Sequence, residues 1–362
     1  MRGKGIIAAA AAALGSTALA LLQPGLTGGV APAWVGVAGA VGAVVATAAV
    51  FRLPAAREWS SLGTAAIARQ VAGGAAGLAA APLLVMANRY TDAPSASEAL
   101  FLTTAGWAFV AAAGGALLER RAGRPVSLMA AVSALVGCAA LVASWEFPSS
   151  FSPFVRFPRE EAAFLVAGAC WALYSVLMAR EPAAAKRPAA WVAALTGLVV
   201  SVAALAFSGE LARSEVPRLA AYAAASAVFV AGWLVLLRDV GLMRSAAALF
   251  APPVLVTALS WAAAGTIAGG QPMLLGRTAA AAALAAVSAG VLAWPGPAAE
   301  VVQPVRRAVA LGAAVLAGAL AVAGLAADAV GASVSVPYAH LAPPTAEDGE
   351  FPGAGWTCKI VG

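Results

Sequence analysis

The groups in this sequence best suited to act on another molecule are aromatic and hydroxyl side chains inside long apolar segments. A bulky ring among Ala and Gly neighbours can line a cavity and stack on a flat or amphipathic compound, and a nearby hydroxyl can add a hydrogen bond. Helix packing explains any one of these residues taken alone, but the set predicts that several line a substrate cavity. The predicted cavity residues are Trp107, Trp171, Tyr174, Tyr222, Thr257, Ser260 and Trp261.

More residues of the same two types lie near the middle of the same segments. For the hydroxyls, the alternative role is a bond to the carbonyl one turn earlier in their own helix. These further residues are Thr103, Thr104, Ser175, Ser201 and Trp233.

A hinge and a coupling site are predicted at other positions. Pro252 and Pro253 should interrupt their helix and free backbone carbonyls, a feature that transporters use at binding sites and hinges. Acidic groups within a membrane often mark ion or proton pathways, because an unpaired charge is costly in hydrocarbon. Glu98 and Glu119 are the coupling candidates, although both lie near segment ends, where anchoring at the interface is the simpler interpretation.

Enzyme, metal and nucleic-acid chemistry have no support in the sequence. We find no GxSxG, HExxH or P-loop motif, and no pair of intramembrane aspartates. Three cysteines are isolated and His340 is the single histidine, so we expect no catalytic residues, no metal and no cofactor. The net charge is +6, but Lys and Arg occur singly or in pairs rather than in one patch, which argues against a nucleic-acid partner.

The composition indicates a chain embedded in a lipid bilayer. Of the 362 residues, 62% are hydrophobic and 10% are charged, and the mean hydropathy is +0.89. The apolar residues form blocks of about 20, the length a helix needs to cross roughly 30 Å of hydrocarbon. We expect eleven spans, at approximately 5–22, 31–51, 66–88, 98–118, 127–145, 160–180, 189–208, 219–238, 246–268, 274–294 and 306–328.

The basic residues predict the orientation of these spans. Placing the N-terminus in the cytoplasm puts more than twice as many of the 22 Lys and Arg residues on the cytoplasmic side as on the other. The segment after Met1 also resembles a signal peptide, but we favour a retained first span because the helix count requires it. An eleventh span then leaves the Pro-rich tail outside the cytoplasm.

An internal repeat adds to this topology. Segments 98–143 and 245–293 each read as a helix, a short loop and a second Ala-rich helix, with Pro125 and Pro272 at matching places in the loops. If spans one to five and six to ten are the two units, the odd number of helices inverts the second unit. Inverted repeats of this kind support alternating access to a central site.

Three segments resemble the EamA-type drug/metabolite transporter superfamily. Segment 159–180, which contains Cys170-Trp171-Ala172-Leu173-Tyr174, resembles the opening of that family's second repeat. Leu117-Leu118-Glu119 resembles the end of its fourth helix, and Ala251-Pro252-Pro253-Val254 resembles its proline-containing ninth helix. The resemblance implies ten spans over about 5–294. The chain departs from the family at Gly106-Trp107, where a proline is usual, and at Thr266, where a Glu would end the helix.

The predicted fold is therefore an all-α polytopic membrane protein with two inverted five-helix repeats plus an eleventh transmembrane helix. The first repeat covers 1–150, the second 151–296, the additional helix 297–330, and a polar non-cytoplasmic tail 331–362. We expect it in the cell membrane, in contact with lipid and with a small-molecule substrate.

The predicted function is secondary transport or export of a small organic metabolite or amphipathic compound by alternating access. Two alternatives stay open. A flippase for a lipid-linked headgroup predicts a lateral opening and a basic pocket. A non-transporting membrane subunit predicts a solidly packed bundle, with the C-terminal helix and tail docking a partner protein. The C-terminal span would also offer a surface for a homodimer.

Overall fold

The computed structural model describes residues 2–26, 30–60, 62–90, 96–123 and 159–242, with isolated positions at 133, 134, 136–138, 140, 245 and 252. All regular structure in these ranges is helical. The helices are α1 (Arg2–Leu26), α2 (Pro32–Val50), α3 (Ala56–Trp59), α4 (Thr64–Tyr90), α5 (Ala96–Arg121), α6 (Arg159–Arg180), α7 (Lys186–Ala204) and α8 (Val216–Asp239), with 3₁₀ turns at Leu205–Phe207 and Arg213–Glu215.

Six helices in the described part of the chain are long and apolar enough to cross a membrane, and the apolar stretch Ile7–Gln23 of α1 is shorter. The prediction of an all-α membrane protein is confirmed at this level. The seven long helices coincide with predicted spans one to four and six to eight. The described residues do not include the tail or most of the fifth predicted span. They also leave out the ninth to eleventh predicted spans, apart from Pro252.

Outward-facing apolar side chains fit a lipid environment. Leu14, Leu117 and Val199 are strongly exposed on three different long helices. In water such surface would be costly, whereas lipid tails are as apolar as these side chains. Proline in the first turn begins α2 and α8, where its missing N–H has no helical partner to lose. Pro82 lies inside α4 and has no N–H to donate to the carbonyl of Leu78.

Glycine allows the long helices to approach closely in antiparallel pairs. In α1 and α8, a Cβ added to Gly15 would overlap the backbone of Phe229, and one added to Gly232 would overlap the backbone of Ala12. Such small residues allow backbones to touch, which drives helix association in lipid. Helices α4 and α6 form a second antiparallel pair through Gly73 against Leu177 and Gly77 against Tyr174.

Two parallel pairs complete the arrangement. Helix α2 packs along α8, where Gly42 lies against the backbone of Ala223. Helix α7 packs along α4, where Gly74 lies against the backbone of Ala193. The antiparallel pair α1 and α8 thus corresponds to α6 and α4, and the parallel pair α2 and α8 corresponds to α7 and α4. Helix α5 packs parallel to α6, with Gly106 against Leu165 and Gly114 against Val176.

Two tryptophans join α2 and α7 reciprocally. Trp34, at the start of α2, donates its indole N–H to the carbonyl of Gly209, just beyond α7, at 3.1 Å. Trp191, near the start of α7, donates to the carbonyl of Arg52, just beyond α2, at 3.3 Å. The spacing along the chain from Trp34 to Trp191 equals that from Arg52 to Gly209. Exchanging the two antiparallel helices therefore exchanges the two hydrogen bonds.

Candidate functional site

A cavity lies where the seven long helices of the described part meet. Its volume is about 170 Å³, measured as the space open to the centres of water molecules. One water needs only about 10–15 Å³ by that measure, so the cavity has room for a larger molecule. Helices α1, α2, α4, α5, α6, α7 and α8 all contribute lining residues.

The structure brings four of the seven predicted cavity residues together on this cavity. They are Trp107, Trp171, Tyr174 and Tyr222. Thr103 and Thr104, two of the further hydroxyl residues, also line it. Four of the predicted residues lie outside the described residues: Thr257, Ser260, Trp261 and the hinge residue Pro253. The other hinge residue, Pro252, is an isolated described position that is helical and buried.

One part of the lining is a wall of aromatic rings centred on Trp171. Its ring centroid lies 5.0 Å from that of Tyr174 and 4.9 Å from that of Phe229, and both pairs are tilted. These separations fall within the 4.5–7 Å range in which aromatic pairs attract each other. Helices α6 and α8 supply these three rings, so the close packing within the bundle fixes their positions.

Trp233 supports this wall from behind. It is fully buried, and its ring centroid lies 5.6 Å from that of Trp107 in an edge-to-face arrangement. Its indole N–H donates to the hydroxyl of Ser175 at 2.9 Å, and that hydroxyl donates to the carbonyl of Trp171 at 2.9 Å. Ser175 therefore accepts one hydrogen bond and donates another, which fixes the orientation of Trp233 relative to Trp171.

Small residues form much of the remaining lining. Gly39, Ala40 and Ala43 come from α2, and Ala193, Ala194 and Gly197 come from α7. The absence of larger side chains at these positions leaves space beside the rings. On α4, Gly77 allows close contact with the aromatic wall, since an added Cβ would lie 3.1 Å from Cβ of Tyr174.

Several lining hydroxyls give their hydrogen to the backbone. Thr103 donates to the carbonyl of Ala99 at 2.7 Å, and Thr47 donates to that of Ala43 at 2.8 Å. Ser226 of α8 donates across to the carbonyl of Gly39 on α2 at 3.1 Å. A hydroxyl has one hydrogen to donate and two lone pairs. Each of these oxygens therefore has only acceptor capacity left for another molecule.

Charged side chains are not found among the cavity-lining residues of the described part of the chain. Glu119 lies twelve positions beyond Trp107 on α5, about 18 Å along the helix axis at 1.5 Å per residue. Glu98 lies in the first turn of α5, and its side chain lies outside the described part. The predicted coupling role of these two residues stays a prediction.

Several polar side chains contact one another at one end of the bundle, beyond the cavity. We call this end the basic end, because it contains Arg52, Arg180, Lys186, Arg187 and Arg238. Arg69 of α4 contacts the carboxylate of Glu181 at 2.9 Å, and the Gln70 amide donates to the same carboxylate oxygen at 3.3 Å. Gln70 also donates to the carbonyl of Leu177. We refer to Arg69, Gln70 and Glu181 as the basic-end cluster. It ties α4 to the end of α6.

Further contacts join α7 to its neighbours at the basic end. Lys186 donates to the carbonyl of Leu237 in α8 at 3.1 Å. Arg187 forms an ion pair with Glu58 of α3. At the opposite end, the side chains of Gln23 in α1 and Tyr222 in α8 interact. Both ends of the cavity are therefore bordered by polar contacts, with a charged cluster at one end and a neutral pair at the other.

Comparison with known proteins adds little. No protein-family model matches the sequence, and no curated protein matches it. Ten chains of solved structures match. One of them, described only as the crystal structure of a protein, is similar to this chain with 21% identity and a TM-score of 0.48, covering 78% of this chain and 96% of the other. A likeness at that level carries no argument about function, and the EamA-type resemblance stays a prediction.

Sequence reasoning missed several residues that the structure places at or beside the cavity. Phe229 has no polar atom, so nothing in its type distinguished it from ordinary packing. Glu181 lies just beyond α6, where it resembled a loop residue. Gln23 and Gln70 were detectable, because an amide inside an apolar segment needs a hydrogen-bond partner.

Proposed function

We propose that this protein is a secondary transporter that moves a small organic compound across the cell membrane by alternating access. The observation that carries the proposal is the central cavity, to which every long helix of the described part contributes. Ligand sites of transporters lie near the bilayer midplane between structural repeats. The cavity is lined from both of the repeats that we propose, by α1, α2, α4 and α5 of the first and by α6, α7 and α8 of the second.

The reciprocal contacts support a relation of inverted repeats between the two halves. Trp34 and Trp191 make equivalent bonds on antiparallel helices, and the antiparallel pair α1 and α8 corresponds to the pair α6 and α4. In our proposal spans one to five form one repeat and spans six to ten the other, as in EamA-type transporters. Two similar halves can exchange conformations, which opens the site first to one side and then to the other.

The two ends of the cavity would then act as alternate gates. In the described arrangement the basic-end cluster holds α4 and α6 together through an ion pair and two amide hydrogen bonds. The equivalent contact at the opposite end is the neutral pair Gln23 and Tyr222. We propose that the basic end faces the cytoplasm, because Lys and Arg are concentrated in cytoplasmic loops.

The two alternative functions, a non-transporting scaffold subunit and a flippase, have less support. A packed scaffold would have no reason to keep a cavity at its centre, since small residues could be replaced by larger ones that fill it. A flippase for an anionic headgroup would need a basic pocket, and the described lining has no Lys or Arg.

Cysteine accessibility from each side of the membrane tests the proposal. Thr104 is buried on the cavity wall. In a background in which Cys138, Cys170 and Cys358 are replaced by Ala, Thr104→Cys should react with a membrane-impermeant thiol reagent added to either side of oriented vesicles. The control Val199→Cys, on the lipid-facing surface of α7, should react from neither side.

Reaction of Thr104→Cys from one side only, under all conditions, would contradict alternating access. Reaction from neither side would favour the packed scaffold.

A further inference from the structure

The chemistry of the cavity indicates which compounds it would bind, given the transport function proposed above. Three features bear on the choice: the aromatic wall, the acceptor oxygens of the lining hydroxyls, and the uncharged character of the described lining. Each restricts the ligand in a different way.

The aromatic wall favours a flat ring. Trp171 is partly exposed, and its neighbours Tyr174 and Phe229 lie within 5.0 Å and 4.9 Å of it, centroid to centroid. The partly exposed ring of Trp171 offers an apolar face on which another ring can stack, and the tilted rings of Tyr174 and Phe229 pack beside it. Gly and Ala on α2 and α7 keep the adjacent space free for it. Stacking of aromatic pairs adds to the gain from burying apolar area.

Three of the lining hydroxyls favour a ligand that donates a hydrogen bond. Thr47, Thr103 and Ser226 have given their hydrogens to backbone carbonyls, so their oxygens can only accept. The indole N–H groups of Trp107 and Trp171 have no partner in the described part, but both nitrogens are shielded from the cavity space.

The uncharged lining disfavours an ionic ligand. A carboxylate or ammonium entering the cavity would lose water and meet no opposite charge among the described lining residues. The sequence of spans nine and ten, at 246–294, contains one basic residue, Arg277, and no Asp or Glu. An organic cation would depend on the ring faces alone.

We infer that the cavity binds an uncharged aromatic compound that carries an N–H or O–H donor. Its ring stacks on the wall formed by Trp171, Tyr174 and Phe229, and its donor binds a hydroxyl oxygen of Thr47, Thr103 or Ser226.

Four matched probes test this class: indole, 1-methylindole, tryptamine and indole-3-acetate. They share one ring system and differ in donor and charge. Calorimetric titration of the full chain in lipid nanodiscs, with empty nanodiscs subtracted, measures binding. Indole should bind saturably, and 1-methylindole about fivefold more weakly, because one hydrogen bond contributes about 1 kcal/mol. Tryptamine and indole-3-acetate should show no saturable binding.

Substitutions in the lining test whether its hydroxyl oxygens cause the preference for a ligand with a hydrogen-bond donor. Thr47→Val, Thr103→Val and Ser226→Ala each remove one acceptor oxygen. At least one of them should abolish the difference between indole and 1-methylindole while leaving 1-methylindole affinity unchanged, which also shows that the variant is folded. Trp59→Phe, outside the cavity with its N–H bonded to Pro54, should leave every affinity unchanged.

Equal or tighter binding of either charged probe would overturn the inference, as would equal binding of indole and 1-methylindole, or no binding of any probe. If Thr104→Cys still reacts from both sides after such a result, the ligand class is wrong and the transport function stands.

Discussion

The basic-end cluster provides a sharp test, because its ion pair combines a buried charge with a partly exposed one. The side chain of Glu181 is 2% exposed and that of Arg69 is 27% exposed. Removing one partner of a buried pair leaves the other charge uncompensated, at a cost of about 3–5 kcal/mol. The two residues should therefore respond differently to substitution.

Arg69→Met should be the more damaging change. It leaves the buried carboxylate of Glu181 with the amide of Gln70 but no positive partner, and we expect a cost near the lower limit, about 3 kcal/mol. Glu181→Gln removes the buried charge and leaves Arg69 able to reach water, so we expect about 1–2 kcal/mol. The double variant should cost less than the sum of the two, because the groups are in contact.

Arg69→Met should also shift the equilibrium between the closed and the open state of the basic end. If the ion pair closes the basic end, losing about 3 kcal/mol there shifts the balance toward opening of that end by about a hundredfold. Equilibrium unfolding in mixed micelles measures the stability, and labelling of Thr104→Cys from the basic side measures opening. Arg238→Met is the matched control, since Arg238 and its partner Asp239 are both substantially exposed.

Strict additivity of Arg69→Met and Glu181→Gln, with labelling from the basic side unchanged, would refute this reasoning.

Three further predictions concern packing around the cavity. Gly74→Ala should destabilise the protein by about 1–3 kcal/mol in thermal or denaturant unfolding, because its Cβ would overlap the α7 backbone, whereas Gly63→Ala, with open space around it, should have no effect. Trp191→Phe should cost about 1 kcal/mol in the same assay, for the lost bond to the α2 end, and an unchanged stability would show that this bond contributes nothing. Ser175→Ala should cost about 1–3 kcal/mol by leaving the Trp233 N–H buried without a partner, and indole affinity should fall; native affinity would show that Trp233 does not support the wall.

The sequence predicted the long helices well, because membrane crossing leaves a simple signal. A block of about 20 apolar residues is needed wherever a helix spans the hydrocarbon. Predicted spans such as 31–51 and 219–238 agree closely with Pro32–Val50 and Val216–Asp239. The short α3 helix and the 3₁₀ turns were not predicted, since such elements lie in polar loops without that signal.

The cavity was only partly predictable, because residue type indicates what a side chain can do but not what lies opposite it. Trp107 and Trp171 were predicted by their bulk among small neighbours. The role of Gly77, by contrast, depends on its contact with Tyr174 across two helices. The pairing of Arg69 with Glu181 likewise joins residues far apart in the chain, and no spacing rule connects them.

The reciprocal tryptophan bonds show what a repeat search can miss. Ala-rich helices look alike by chance, so the similarity of segments 98–143 and 245–293 does not by itself establish duplication. Trp34 and Trp191 provide a different kind of support, because each makes the same contact with the end of the other's helix. A geometric equivalence of this kind does not depend on composition.

Counterflow in proteoliposomes tests the central claim most directly. Vesicles are loaded with an excess of the unlabelled form of the tightest-binding compound of this class that protein-free vesicles retain over the assay, and are diluted into a trace of its labelled form. An alternating-access carrier should accumulate the label transiently above its equilibrium level, because unlabelled molecules leaving the vesicle return the cavity to the outside. Passive leakage and a packed scaffold would both give uptake that rises only to equilibrium, as in protein-free vesicles, and that result would contradict transport through this cavity.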